Sequence, residues 1–155
     1  MSALGDSGHL VRRFAGSLSS RPPAAEDEEW AESHLLASEV DLWRGMSNQD
    51  RRHAIEVARR FERAVGPSAD RGAMAGALLH DVGKAAAGLG TFGRVLATIL
   101  PARWRRGRYE SYRRHEATGA DWCRQAGSAP VTIALLAGAG GPPALHAALE
   151  TADHT

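Results

Sequence analysis

The residues of this sequence that are best suited to chemistry are the adjacent His80 and Asp81. They come directly after Leu78 and Leu79, so an imidazole and a carboxyl group follow a strongly apolar stretch. Burying both groups costs free energy unless hydrogen bonds or a cation compensate them. Because imidazole nitrogen and carboxylate oxygen both bind divalent metal ions, the pair predicts one such ion as cofactor (manganese, iron, cobalt, nickel, magnesium or zinc). The alternative for Asp81 is a polar residue that merely ends a helix.

Lys84 places a positive charge just after this pair. A metal ion beside a lysine suits a phosphate ester, because the metal activates water and polarises a phosphoryl oxygen while the ammonium group offsets developing negative charge. We therefore predict Asp81 and Lys84 as catalytic residues, with Asp81 also a metal ligand and Lys84 a phosphate-binding residue. The alternative for Lys84 is a solvated cation at a helix end.

His53 and Asp153 are the other candidate metal ligands, and each has a simpler explanation. His53 lies one turn before Val57, at the edge of a predicted buried helix face, where a hydrogen-bonded core histidine is the commoner case. Asp153 lies close to the last residue of the sequence, where an exposed carboxylate needs no special role. Both stay open as ligands until their distance from His80 is known.

Residues 103–109 contain four arginines and two aromatic residues. One guanidinium group can donate two parallel hydrogen bonds to a phosphate, and an aromatic ring can stack on a nucleobase. Arg103 and Arg108 are therefore predicted to bind substrate phosphate, and an exposed basic loop is the alternative. A nucleic-acid-binding helical protein is a further hypothesis, but the formal net charge of +1 favours a small anionic, phosphate-containing substrate instead.

Apolar residues recur at helical spacing almost throughout the chain, which predicts an all-α fold. Two short early helices are expected, one opened by the acidic run 26–29 and one with its N-cap at Ser38. A long helix is expected from Ser47 to about Val65, followed by one that starts at 68–70 and leads to His80. Further helices are expected at about 90–100, 109–126, 129–138 and 143–153.

The composition is that of one globular domain, with 155 residues, 43% hydrophobic and 24% charged. The single cysteine, Cys123, excludes an internal disulfide and a cysteine-rich zinc site. There is no apolar run of signal-peptide length, and the longest apolar stretch, 131–139, is too short to cross a bilayer. A cytoplasmic protein without membrane contact is therefore expected. The stretch 131–139 fits either the core or a homodimer interface.

Residues 77–84, which read Ala-Leu-Leu-His-Asp-Val-Gly-Lys, resemble the signature of the HD superfamily of metal-dependent phosphohydrolases in its HDxGK form. His53 resembles the family's first ligand in an upstream helix, and Asp153 resembles its terminal aspartate ligand. His115 resembles a histidine that feeds a second metal in the HDIG and HD-GYP branches. The likeness covers about 47–154, and with its preceding helical segment the chain is similar to small actinobacterial HD-domain proteins of unassigned substrate.

This resemblance implies a single-domain HD-type helical bundle, with an N-terminal helical extension at 1–46 and an HD domain at 47–155. It implies a phosphohydrolase that acts on a nucleotide or other small phosphoester. The implied ligands of its one metal ion are His53, His80, Asp81 and Asp153.

The sequence departs from the family pattern at Ala139 and Gly140, where relatives often carry a His-His pair. Neither side chain can bind metal, so a second ion would lack these ligands. His146 and His154 are candidate substitutes, although surface histidines are the simpler explanation. The departure keeps an alternative function open, a catalytically degenerate HD-fold module that binds a nucleotide or regulates a partner.

Overall fold

The computed structural model describes residues 20–83 and 111–155, with side chains of the second range described from residue 118 onward. Within these ranges the regular structure is helical and there is no β-strand, so the all-α class is confirmed. The helices are α1 Ala25–Ser33, α2 Ala37–Gly45, α3 Asn48–Val65, α4 Arg71–Leu79, α5 Ser111–Gln125, α6 Pro130–Ala137 and α7 Pro143–His154, and a 3-10 turn at Gly66–Ser68 joins α3 to α4.

Polar side chains cap the two central helices at the positions that the sequence indicates. Ser47 Oγ accepts a hydrogen bond from the amide of Asp50 at 3.1 Å, and Asp70 Oδ1 accepts one from the amide of Ala73 at 2.8 Å. Gly66, with φ of 55°, ends α3 in a conformation that other residues rarely adopt. The expected helix at 90–100 lies outside the described residues.

The start of α2 differs from the expected N-cap at Ser38. The helix already begins at Ala37, and the hydroxyl of Ser38 instead donates to the carbonyl of Ala126 at 2.6 Å. Glu39 stabilises this start, because its Oε2 accepts a hydrogen bond from the amide of Leu36 at 2.7 Å. The prediction of Ser38 as N-cap was wrong because Leu36 is the N-cap and Ser38 lies inside the first turn of the helix.

Helix α4 lies in the centre of the bundle and packs against α2, α3 and α6. All residues from Gly72 to Leu79 are buried. Two glycines allow α6 to approach closely, since an added Cβ would lie 2.7 Å from Val131 Cγ1 at Gly72 and 2.6 Å from Leu135 Cδ1 at Gly76. The helix that leads to His80 is therefore closely packed against its neighbours.

The described part of the segment 1–46 shares one hydrophobic core with the rest of the chain. Ala31, Leu42 and Trp43 belong to the same buried cluster as the apolar faces of α3 and α4. The indole nitrogen of Trp43 also donates to Glu28 Oε2 at 2.8 Å. Residues 25–46 are thus packed against the remainder of the bundle.

The apolar stretch 131–139 contributes Leu135 and Leu136 to the core, where both are buried. The hydroxyl of Thr132 is buried as well and donates to the carbonyl of Gly72 at 2.7 Å. The structure therefore places this face of the stretch against α4. No helix in the described ranges is long and apolar enough to cross a membrane.

Candidate metal centre

Three helices bring the candidate ligands together. His53 lies in the second turn of α3, His80 directly follows α4, and Asp153 lies in the last turn of α7. Helix α3 packs against both α4 and α7, and Arg60 of α3 donates a hydrogen bond to the carbonyl of Ala152 at 2.7 Å. This contact holds the last turn of α7 beside His53.

The side chains of His53, His80 and Asp153 meet at one point. Asp153 Oδ1 lies 2.8 Å from His53 Nε2 and 3.3 Å from His80 Nε2. One potential ligand atom from each of the three residues lies within 4.8 Å of the others. Two ligands bound at about 2.1 Å to one tetrahedral ion are roughly 3.4 Å apart, so small side-chain shifts let all three bind one ion.

The imidazole of His80 is oriented for ligation. Its Nδ1 donates a hydrogen bond to the carbonyl of Ala77 at 2.7 Å, which assigns the proton to Nδ1 in the neutral ring. Its Nε2 is buried and makes no hydrogen bond of normal geometry, although Asp153 Oδ1 lies 3.3 Å and Asp81 Oδ2 3.5 Å away. An unsatisfied buried nitrogen is costly, and a cation would compensate it. Ligating histidines are commonly fixed through their other nitrogen in this way.

The charges around the three residues favour a cation. Burial alone would lower the pKa of His80, but the adjacent carboxylates of Asp153 and Asp81 outweigh burial and raise it above its ordinary value. The contact with His80, followed by that with His53, lowers the pKa of Asp153 below its usual range despite partial burial. The site therefore attracts positive charge, which a proton or a metal ion can supply.

Asp81 lies beside this cluster. Its Oδ2 is 3.5 Å from His80 Nε2, and its side chain is largely buried. It does not belong to the set of three residues whose potential ligand atoms all lie within 4.8 Å of one another. Of the four predicted ligands, the structure thus brings three together and places the fourth next to them. Direct ligation by Asp81 stays a prediction.

Several predicted residues cannot be placed relative to this cluster. Lys84, Arg103 and Arg108 lie outside the described residues, and His115 belongs to the part of α5 whose side chains are not described. Their roles in catalysis, phosphate binding and metal binding therefore stay predictions.

A cavity of about 480 Å³ opens beside the cluster. Its lining combines imidazoles, carboxylates and leucines on α6, α7 and the end of α4. The lining residues are His80, Asp81, Gly83, Leu135, Leu136, Gly138, His146, Leu149, Glu150, Asp153 and His154.

Leu149 and Glu150 also line this cavity, and neither was among the predicted site residues. A signal was present, since positions 146, 149, 150 and 153 fall at the three-and-four spacing that places residues on one face of a helix. Of the two candidate substitutes for the missing His-His pair, His146 donates from Nε2 to the carbonyl of Gly140 at 2.5 Å. His146 therefore contacts Gly140, one of the two positions where relatives often carry the His-His pair.

Comparisons of this chain with models of protein families, with curated proteins and with solved structures found no match. Membership of the HD superfamily therefore stays a prediction that rests on residues 77–84 and the flanking histidine and aspartate positions.

Proposed function

We propose that this protein is a metal-dependent phosphohydrolase that acts on a nucleotide or another small phosphoester. The observation that carries the proposal is the buried, unpartnered Nε2 of His80, which lies 3.3 Å from Asp153 Oδ1 while Nδ1 is held by a backbone carbonyl. Two imidazoles and a carboxylate form a donor set for a divalent cation. The adjacent cavity has the size of a small-molecule site.

A divalent cation in such a site activates water and polarises a phosphoryl oxygen. In the proposed reaction, water attacks phosphorus, the ester P–O bond breaks, and the proton that the attacking water gives up is taken up by the leaving alkoxide. Asp81 lines the cavity and accepts a hydrogen bond from the attacking water, which orients it. Lys84 offsets the negative charge that develops on the phosphoryl oxygens. The products are inorganic phosphate and an alcohol.

A binding or regulatory module is the second candidate, and the turn between α6 and α7 favours it. Gly138, Gly140 and Gly141 all have positive φ there, and the turn contributes no metal-binding side chain. A single cation with three or four protein ligands is therefore what the described residues can hold, in contrast to a two-metal centre. Such a site can bind a nucleotide without turnover.

The test uses the full chain purified with manganese and with zinc. Bound metal is quantified. Phosphate release is followed with phosphomonoesters, and formation of the hydrolysed nucleotide is followed with cyclic nucleotides and nucleoside polyphosphates. We expect one metal ion per chain and metal-dependent turnover, both lost in His80→Ala. His34→Ala is the matched control. Its hydrogen bonds to described residues lie within and next to α1, and it does not belong to the cluster found among those residues.

The outcomes separate the candidates. A folded protein that binds metal and a nucleotide but hydrolyses none of these substrates belongs to the regulatory class. Unchanged metal binding in a folded His80→Ala variant contradicts both functions.

A further inference from the structure

Arg60 of α3 binds the backbone of α7 directly beside the aspartate of the metal cluster. Its Nη1 donates a hydrogen bond to the carbonyl oxygen of Ala152 at 2.7 Å, and Asp153 is the next residue. This carbonyl is among the last four of α7, which have no amide partner within the helix. Because Ala152 is buried, loss of the partner that Arg60 supplies would cost free energy.

The same face of α3 also carries His53. Arg60 lies about two turns after His53, at a spacing that places two residues on one face of a helix. Arg60 reaches the backbone of Ala152. His53 Nε2 lies 2.8 Å from the side-chain oxygen Oδ1 of Asp153. Helix α3 therefore contacts two consecutive residues of α7, one through its backbone and the next through its carboxylate.

The guanidinium group of Arg60 is itself restrained. Its side chain is only 26% exposed, and Nη2 lies 3.3 Å from Glu56 Oε2, one turn earlier on α3. The planar guanidinium group has several donors in fixed directions, so it can bind a carbonyl and a carboxylate at the same time. The contact with Glu56 limits the directions in which the group that binds Ala152 can point.

We infer that Arg60 is a positioning residue of the metal cluster, which acts through the backbone of α7 to hold the carboxylate of Asp153 against the two histidines. The inference rests on the proposed function for the presence of the metal ion. Arg60 is not one of the three candidate ligands. Loss of its hydrogen bond should keep those ligands in the protein and weaken the hold on Asp153, so that the ion binds less tightly.

The first test compares two arginines of α3 that line the same groove beside α7. Arg60→Met removes the donor and keeps a long unbranched side chain. Arg63→Met is the matched control, because Arg63 is exposed and makes no hydrogen bond or ion pair with the residues that the structure describes. We expect Arg60→Met to weaken zinc binding at least about five-fold and Arg63→Met to leave it unchanged, measured with a chelating indicator. Arg60→Lys, which keeps a donor, should lose less than Arg60→Met.

The second test asks whether Arg60 acts through Asp153. In the Asp153→Asn background, Arg60→Met should weaken zinc binding by less than about two-fold, because the carboxylate that Arg60 positions is already gone. The visible absorption of the cobalt-loaded Arg60→Met variant should differ from that of the wild type, because it reports the ligands and geometry of the ion. A role of Arg60 in stability alone would lower Tm and leave the zinc affinity and the cobalt spectrum of the folded protein unchanged.

Equal zinc affinities of Arg60→Met and Arg63→Met overturn the inference and leave the proposed function standing. Additive losses in the double variant also overturn it, since Arg60 would then act independently of Asp153. If Arg60→Met does not fold, Arg60→Gln, whose side chain is shorter, takes its place in each comparison.

A folded wild-type protein that takes up no metal contradicts the proposed function, and hydrogen exchange of the amides at 152–155 in the metal-free protein then tests the positioning role. Exchange should be faster in Arg60→Met than in Arg63→Met, because the last turn of α7 loses its contact with α3. Equal exchange rates overturn the inference.

Discussion

Asp153 Oδ1 lies 2.8 Å from His53 Nε2, although the two residues are 100 positions apart in the sequence. The same oxygen is 3.3 Å from His80 Nε2, so one carboxylate oxygen lies close to both imidazoles. Asp153 is therefore the residue on which the three-residue cluster depends most directly. This relationship leads to the first prediction.

Replacing Asp153 by asparagine removes the negative charge between the two histidines. We expect Asp153→Asn to weaken manganese or zinc binding by at least about ten-fold, measured by titration against a chelating indicator. Asp121→Asn is the control, because Asp121 pairs with Arg124 on the exposed side of α5 and should leave the affinity unchanged. Equal affinities of the two variants would exclude Asp153 as a ligand.

The stability of the fold is expected to depend on Glu39, whose side chain is fully buried. Its Oε2 accepts from the amide of Leu36 at 2.7 Å and lies 3.4 Å from an Arg71 nitrogen at the start of α4. We expect Glu39→Ala to lower the free energy of unfolding by about 2–4 kcal/mol, because both polar groups lose their partner. Glu39→Gln should cost less, since an amide oxygen can still accept from Leu36. Urea unfolding measures both.

The control for Glu39 is Glu32, which forms a surface ion pair with Arg44 at 2.7 Å. Exposed pairs contribute little, so Glu32→Ala should change the free energy of unfolding by less than about 1 kcal/mol. A loss at Glu39 no greater than that at Glu32 would mean that the buried carboxylate does not hold α2 against α4.

Gly76 allows the close contact of α4 with α6. A methyl group there would lie 2.6 Å from Leu135 Cδ1 and 3.1 Å from Leu135 Cβ. We expect Gly76→Ala to destabilise the protein by about 1–3 kcal/mol, seen as a lower Tm, because overpacking forces the helices apart. Combining it with Leu135→Ala should cost less than the sum of the two single changes. Simple additivity would show that the two positions do not meet.

Cys123 is predicted to be chemically inert in the folded protein. Burial is the main cause that raises the pKa of its thiol from 9.0 to about 12. The side chain is also inaccessible to solvent. At pH 8 this lowers the thiolate fraction roughly a thousand-fold, and the thiolate is the reactive form. A thiol-specific chromogenic reagent should therefore label the protein only after denaturation, and Cys123→Ser should remain unlabelled throughout. Rapid labelling of the native chain would contradict this burial.

The sequence by itself determined much of the helical framework. The boundaries of α3 and α4 follow from Ser47 and Asp70, because a capping hydrogen bond joins residues only three positions apart. Helical periodicity and the prolines and glycines between segments indicated α6 and α7 in the same local way. Residue type alone made His53, His80 and Asp153 candidates, but it left a simpler explanation open for both His53 and Asp153.

The tertiary structure decided which of these candidates meet and what surrounds them. His53 and Asp153 come together because α3 packs against α7, and Asp81 lies beside the cluster because the chain turns directly after α4. The burial of Glu39, the hydroxyl contact of Ser38 with Ala126 just after α5, and the leucine side chains that line the cavity were likewise absent from the sequence pattern. Each depends on packing between helices far apart in the chain, and local spacing carries no information about that packing.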